Sequence, residues 1–82
     1  MINVVYFAWV RERIGLPVEL IETQAATVTE LVDELRAREE RYALAFDDIS
    51  AVRVALDQEV VEFSAPLECV REVAFFPPMT GG

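Results

Sequence analysis

The sequence has 82 residues and a net charge of −8 from 15 acidic and 7 basic side chains, and 54% of its residues are apolar in the AVILMFWYC count. That length makes one small domain burying roughly 60–65% of its unfolded surface. A single cysteine excludes an internal disulfide, and the acidic balance argues against the basic patches by which proteins hold nucleic acid or anionic membranes.

No apolar run approaches the roughly 20 residues of a membrane helix, and no secretory signal is read, so a reducing, cytoplasmic setting is expected. The apolar share exceeds the usual level of about 45–50%. A small domain with that surplus is expected to spend part of it on a partner surface.

In chain order, Ile2-Asn3-Val4-Val5-Tyr6-Phe7-Ala8 reads as a strand from its β-branched and aromatic content. Ile2, Val4 and Tyr6 share one face; Asn3, Val5 and Phe7 share the other, which is too apolar for open water. Trp9 to Ile14 reads as a short helical segment closed by Gly15. Val18-Glu19-Leu20-Ile21-Glu22 forms a second strand, and Pro17 at its start suits a sheet edge.

Thr27-Val28-Thr29-Glu30 is a capping box, in which Thr27 accepts from the amide of Glu30 and Glu30 reaches back to the amide of Thr27. Val28, Leu31, Val32 and Leu35 follow at helical spacing, so the main helix runs to about Glu39-Glu40. Tyr42 to Phe46 adds a further helical turn, broken at Asp47-Asp48.

Val52 to Leu56 alternates, with Val52, Val54 and Leu56 inward. Asp57-Gln58 makes a tight turn into Glu59 to Phe63, Ser64-Ala65-Pro66 turns again, and Glu72 to Phe76 is the last strand. Val73 and Phe75 take one face of it, Ala74 and Phe76 the other.

This order predicts an α+β, β-grasp-like fold: a mixed sheet of about five strands packed on one main helix, with the first and last strands parallel at its centre. Residues 1–76 form the domain and 77–82 an extended C-terminal segment. Parity puts Phe7 and Phe76 on the face away from the helix, as an apolar patch at the root of that segment.

No catalytic apparatus emerges from the side chains. The absence of His excludes Ser/His and Cys/His nucleophile systems and a histidine metal site. Glycines at 15, 81 and 82 alone cannot make a phosphate loop. The carboxylates fall on solvated faces, and Cys69, with no Lys or His to activate it, reads as an inert, partly buried filler.

Chemistry therefore points to the ending Phe75-Phe76-Pro77-Pro78-Met79-Thr80-Gly81-Gly82. Pro77 and Pro78 stop a strand and hold an extended arm, and Gly81-Gly82 lacks Cβ atoms, so it fits a channel too narrow for other residues.

Val73-Ala74-Phe75-Phe76-Pro77-Pro78-Met79-Thr80-Gly81-Gly82 closely resembles the ending of the small, sulfur-carrying subunits of molybdopterin synthase, members of the ubiquitin-like β-grasp family. Val4-Val5-Tyr6-Phe7-Ala8 with Val10-Arg11-Glu12, Thr27-Val28 with Leu31, and Pro66-Leu67 extend the likeness over nearly the whole chain. One departure stands out: where the family has an Asp-Gly type turn, this chain reads Glu68-Cys69-Val70-Arg71, and Val70 tolerates a positive φ poorly.

The resemblance implies a sulfur carrier for molybdenum cofactor biosynthesis that is not itself catalytic. An ATP-dependent, ubiquitin-activating-type enzyme would adenylate the Gly82 carboxylate, and a persulfide sulfur donor would convert it to a thiocarboxylate. Gly81 and Thr80 would enter the large, catalytic subunit with Gly82, while Phe7, Phe76, Arg11 and Val60 would dock against it. No permanent cofactor is implied, only the transient adenylate and thiocarboxylate. Two other readings stay open: a sulfur carrier for thiamine or tRNA thiolation, and a ubiquitin-like modifier joined to proteins through Gly82.

Overall fold

The computed structural model of the protein describes residues 1–78. Its elements are β1 (Ile2–Tyr6), α1 (Ala8–Ile14), β2 (Val18–Ile21), α2 (Val28–Arg38), α3 (Glu40–Ala45), a 3-10 turn (Ile49–Ala51), β3 (Arg53–Leu56), β4 (Glu59–Val61) and β5 (Glu72–Phe76). The five strands form one sheet in the order β2-β1-β5-β3-β4. β1 and β5 run parallel, with Val4 opposite Val73 and Tyr6 opposite Phe75. The remaining pairings are antiparallel. This is the expected β-grasp arrangement, with β2 and its leading Pro17 at an edge.

Period-2 alternation decides what each strand buries. Ile2, Val4, Tyr6, Val54, Leu56, Val73 and Phe75 face inward and meet Val28, Leu31, Val32 and Leu35 of α2. Phe75 lies at the centre, with its ring 4.9 Å from that of Phe46 in an edge-on contact and 6.2 Å from that of Tyr6.

The helix starts and stops follow local chemistry, with some differences from expectation. β1 ends at Tyr6, because Ala8 takes a positive φ of 51° and turns the chain into α1. Gly15 (φ 88°) closes α1, its amide donating to the Arg11 carbonyl over 2.7 Å. At α2, Thr27 Oγ1 accepts from the Glu30 amide at 3.3 Å as the capping box requires. Glu30 Oε1, however, accepts from the amide of Ala26 rather than from Thr27. The chain enters the cap with Ala26 nearer the carboxylate, and the first amides of α2 find acceptors elsewhere, Val28 at the Ala65 carbonyl (3.2 Å) and Thr29 at the Phe63 carbonyl (2.9 Å). Glu39 is extended (φ −150°), so α2 and α3 are two helices meeting at a corner.

The unusual turn before β5 resolves simply. The Val70 amide donates to the Leu67 carbonyl (3.1 Å), and Cys69, with φ 62°, takes the left-handed position. Val70 is thereby spared the conformation a β-branched residue resists, and it packs half-buried on the core. Cys69 is exposed, which corrects its expected role as a partly buried filler: a residue at the apex of a reverse turn has no neighbours to fill against.

A polar cluster ties β2, β1 and α3 together. The hydroxyl of Tyr6 donates to Glu19 Oε2 (2.8 Å), and that of Tyr42 donates to Glu19 Oε1 (2.7 Å). Arg41, next along α3, donates to the Ile14 carbonyl at the end of α1 (3.1 Å). Burial, and after it the hydrogen bond to the Glu19 carboxylate, raise the pKa of both phenols above the ordinary tyrosine value.

Below about pH 10 both hydroxyls are protonated whether the chain is folded or not. Above it the unfolded chain releases protons that the folded chain retains, so stability falls as pH rises, by up to about 1.4 kcal/mol per pH unit for each tyrosine. Because Tyr6 and Tyr42 are the chain's only tyrosines, an absorbance titration reads them alone. The tyrosinate signal is expected to rise together with loss of the folded circular dichroism spectrum. A signal titrating near pH 10 in a chain that is still folded would refute the buried network.

Candidate docking surface at the root of the C-terminal segment

The sheet face turned away from α2 carries an apolar row that runs from edge to edge. The registers place Val18, Val5, Ala74, Ala55 and Val60 in one row, one residue from each strand. Ala74 and Ala55 bring only methyl groups, so the middle of the row is low. Phe7, Val60 and Phe76 stand around it and enclose an open depression of about 620 Å³. Phe7 is 49% exposed and Val60 65% exposed, large values for apolar side chains.

Each rim residue is set by its element. Phe7 is the last residue before α1: its amide donates to the Phe75 carbonyl (3.0 Å) and its carbonyl receives the Val10 amide (3.1 Å), which fixes it to both strand and helix. Phe76 ends β5 on the parity opposite to Phe75, and Pro77 and Pro78 line the depression beside it, half-buried. Arg53 pairs with Phe76 across β3 and β5, but its guanidinium donates to the carbonyls of Ser50 (3.3 Å) and Val52 (3.4 Å). The charge is drawn aside and the apolar surface stays clear.

The structure thus brings together Phe7, Phe76 and Val60. Arg11 is exposed one turn into α1 and lines a separate shallow surface with Gly15 and Pro17. Thr80, Gly81 and Gly82 lie outside the described residues. The expectations singled out the large side chains. They passed over the floor, Ala55 and Ala74, although strand parity marks both: each is in phase with an expected rim residue.

They also passed over the polar end of the depression, where Gln58 and Glu72 line it. Asp57 and Gln58 form the two-residue turn between β3 and β4, both at positive φ (49° and 74°), as a hairpin turn of the mirror-image type requires. The Asp57 carboxylate accepts from the amides of Arg71 (3.1 Å) and Glu72 (2.9 Å), so the turn is bound to the start of β5. An apolar depression with one polar end, beside Pro77 and Pro78, has the makings of a protein-docking surface.

The chain matches the ThiS family over residues 4–82. It is 42% identical to the molybdopterin synthase sulfur carrier subunit of Escherichia coli over 82 residues, the whole of both chains. It is 34% identical to the protein of the same description from Haemophilus influenzae, again over the whole of both chains. With that of Mycobacterium tuberculosis it shares 37% identity over 99% of this chain and 96% of the other. Among solved structures it resembles a putative molybdopterin converting factor subunit 1 from Pyrococcus furiosus (TM-score 0.70, 23% identity, 95% of this chain and 97% of that one). SAMP1 from Haloferax volcanii is similar in fold (TM-score 0.71, 21% identity, 99% and 98% covered).

Proposed function

The chain belongs to the ThiS family, and on that premise we propose that it is the sulfur carrier subunit of a molybdopterin synthase, acting in molybdenum cofactor biosynthesis. The observation that carries the reading is its correspondence, at 34–42% identity over essentially the full length of both chains, with three subunits of that description. The docking surface supports it, since a carrier needs a handle that a partner can grip beside the reacting end.

The reacting group is the Gly82 carboxylate. Carboxylate oxygen is a poor leaving group, so it is first joined to AMP by an ATP-dependent activating enzyme, with release of pyrophosphate. A persulfide donor then displaces AMP, and a thiol cleaves the resulting acyl disulfide to leave a thiocarboxylate. Its sulfur is soft and nucleophilic, and the large subunit presents the precursor to it. The chain supplies the sulfur and its delivery, and the catalytic groups belong to its partners. Phe7, Phe76 and Val60 dock against the large subunit, with Arg11 at the margin, and Thr80 and Gly81 carry Gly82 inward.

Co-expression with an activating enzyme and a sulfur donor, followed by intact-mass and C-terminal peptide spectra, tests this. The expected product carries one oxygen-to-sulfur exchange at Gly82. An unmodified C-terminus under those conditions, or Gly82 found in isopeptide linkage to other proteins, would count against the carrier reading.

A further inference from the structure

At its polar end the depression holds two side chains with no partners. Glu72 is half-buried on the outer face of β5, and among the described residues no cation lies within ion-pair distance of its carboxylate and no donor within hydrogen-bond distance. Gln58 lines the same end, its side-chain amide likewise without a hydrogen-bond partner among the described residues. Their backbones are set in place: the Glu72 amide donates to Asp57 Oδ1 (2.9 Å), and Gln58 takes the left-handed conformation at φ 74° that the hairpin turn requires.

We propose that Glu72, flanked by Gln58, is the polar anchor of the docking surface and takes an arginine or lysine of the large subunit. This rests on the docking role given above. A partner covering the depression removes Glu72 from water. An ionised carboxylate cannot be buried cheaply without a compensating cation or donor. The apolar floor formed by Ala55 and Ala74 has none to give, and the protein's nearest basic neighbour in sequence, Arg71, is exposed on the opposite parity. The cation therefore comes from the partner. The net charge of −8 works in the same sense, because it steers a basic surface toward this one before contact. The apolar part of the surface gives adhesion, and the Glu72 end sets register and partner choice.

The test is binding of wild type, Glu72→Gln and Gln58→Ala to the isolated large subunit of molybdopterin synthase, by calorimetry and stopped-flow from low to high salt. Glu72→Gln keeps the shape and removes the charge. It is expected to weaken binding about 10-fold or more at low salt, with the loss shrinking as salt rises, and to leave thermal unfolding unchanged. Gln58→Ala is expected to weaken binding less and to keep the wild-type salt dependence. A wild-type Kd for Glu72→Gln, or a loss that salt does not diminish, overturns the ion pair while leaving docking intact. Failure of the wild-type chain itself to bind the large subunit overturns the docking reading and this inference with it.

Discussion

Phe75→Ala is expected to lower stability by about 3–5 kcal/mol, the range for emptying an aromatic site in a closed core. A domain of this length has roughly 4–12 kcal/mol to lose. At about 4–8 °C per kcal/mol the melting temperature drops by at least roughly 12 °C. Phe75 is fully buried and joins three aromatic neighbours: Phe46, Tyr6 and Phe63, the last 6.5 Å away.

Phe76→Ala, one position further, supplies the contrast. Its ring stands on the outer face, so truncation is expected to shift the melting temperature little. It should weaken binding to the large subunit by about 1–3 kcal/mol if the ring is a central anchor. Parallel melts of the two variants check the assignment of faces. A Phe75→Ala chain that melts like wild type, or a Phe76→Ala chain that unfolds with it, would mean the parity of β5 is reversed.

That two neighbouring phenylalanines have opposite fates was legible in the sequence, because strand parity is a rigid rule once the strand is placed. So was the sheet order, since a helix between two strand groups leaves few ways to close a small core. Positions governed by side-chain geometry were not. Glu30 reaches Ala26 and not Thr27 because the approach of the chain before α2 is set by Leu67 and its bond to the Ala26 carbonyl (2.9 Å), a contact from 41 positions away. The Tyr6–Glu19–Tyr42 cluster joins residues from three elements: parity puts Glu19 in phase with buried Ile21, but nothing local says which hydroxyls its carboxylate will meet. Cys69 was misplaced for the opposite reason. Its residue type favours burial, but the turn needed one residue in the left-handed region and Val70 resists it more strongly. The polar end of the depression escaped notice because Glu72 reads as the ordinary charged start of a strand.

Deleting Gly82, or adding one alanine after it, is expected to abolish sulfur transfer and to leave the fold intact. One residue of extended chain spans roughly 3.3–3.6 Å, and a misplacement of about 1 Å at a reacting atom can already cost 100-fold. Both variants still end in a carboxylate, and the shortened one still ends in glycine, so the loss would come from position and not from chemistry. The added alanine also brings a Cβ to the narrowest part of the path that two glycines imply.

The domain should not notice either change. Among the described residues the buried core ends at Phe75, seven positions before Gly82, so every core contact survives. The measurements are thermal melts, mass spectra for the thiocarboxylate, and single-turnover formation of molybdopterin with the large subunit. Wild-type transfer by either variant would separate the reaction from the Gly82 carboxylate. A lowered melting temperature would instead give the last residues a structural role. Loss of transfer with an unchanged melt leaves one arrangement standing: a stable handle that positions a reacting end to which its core contributes nothing.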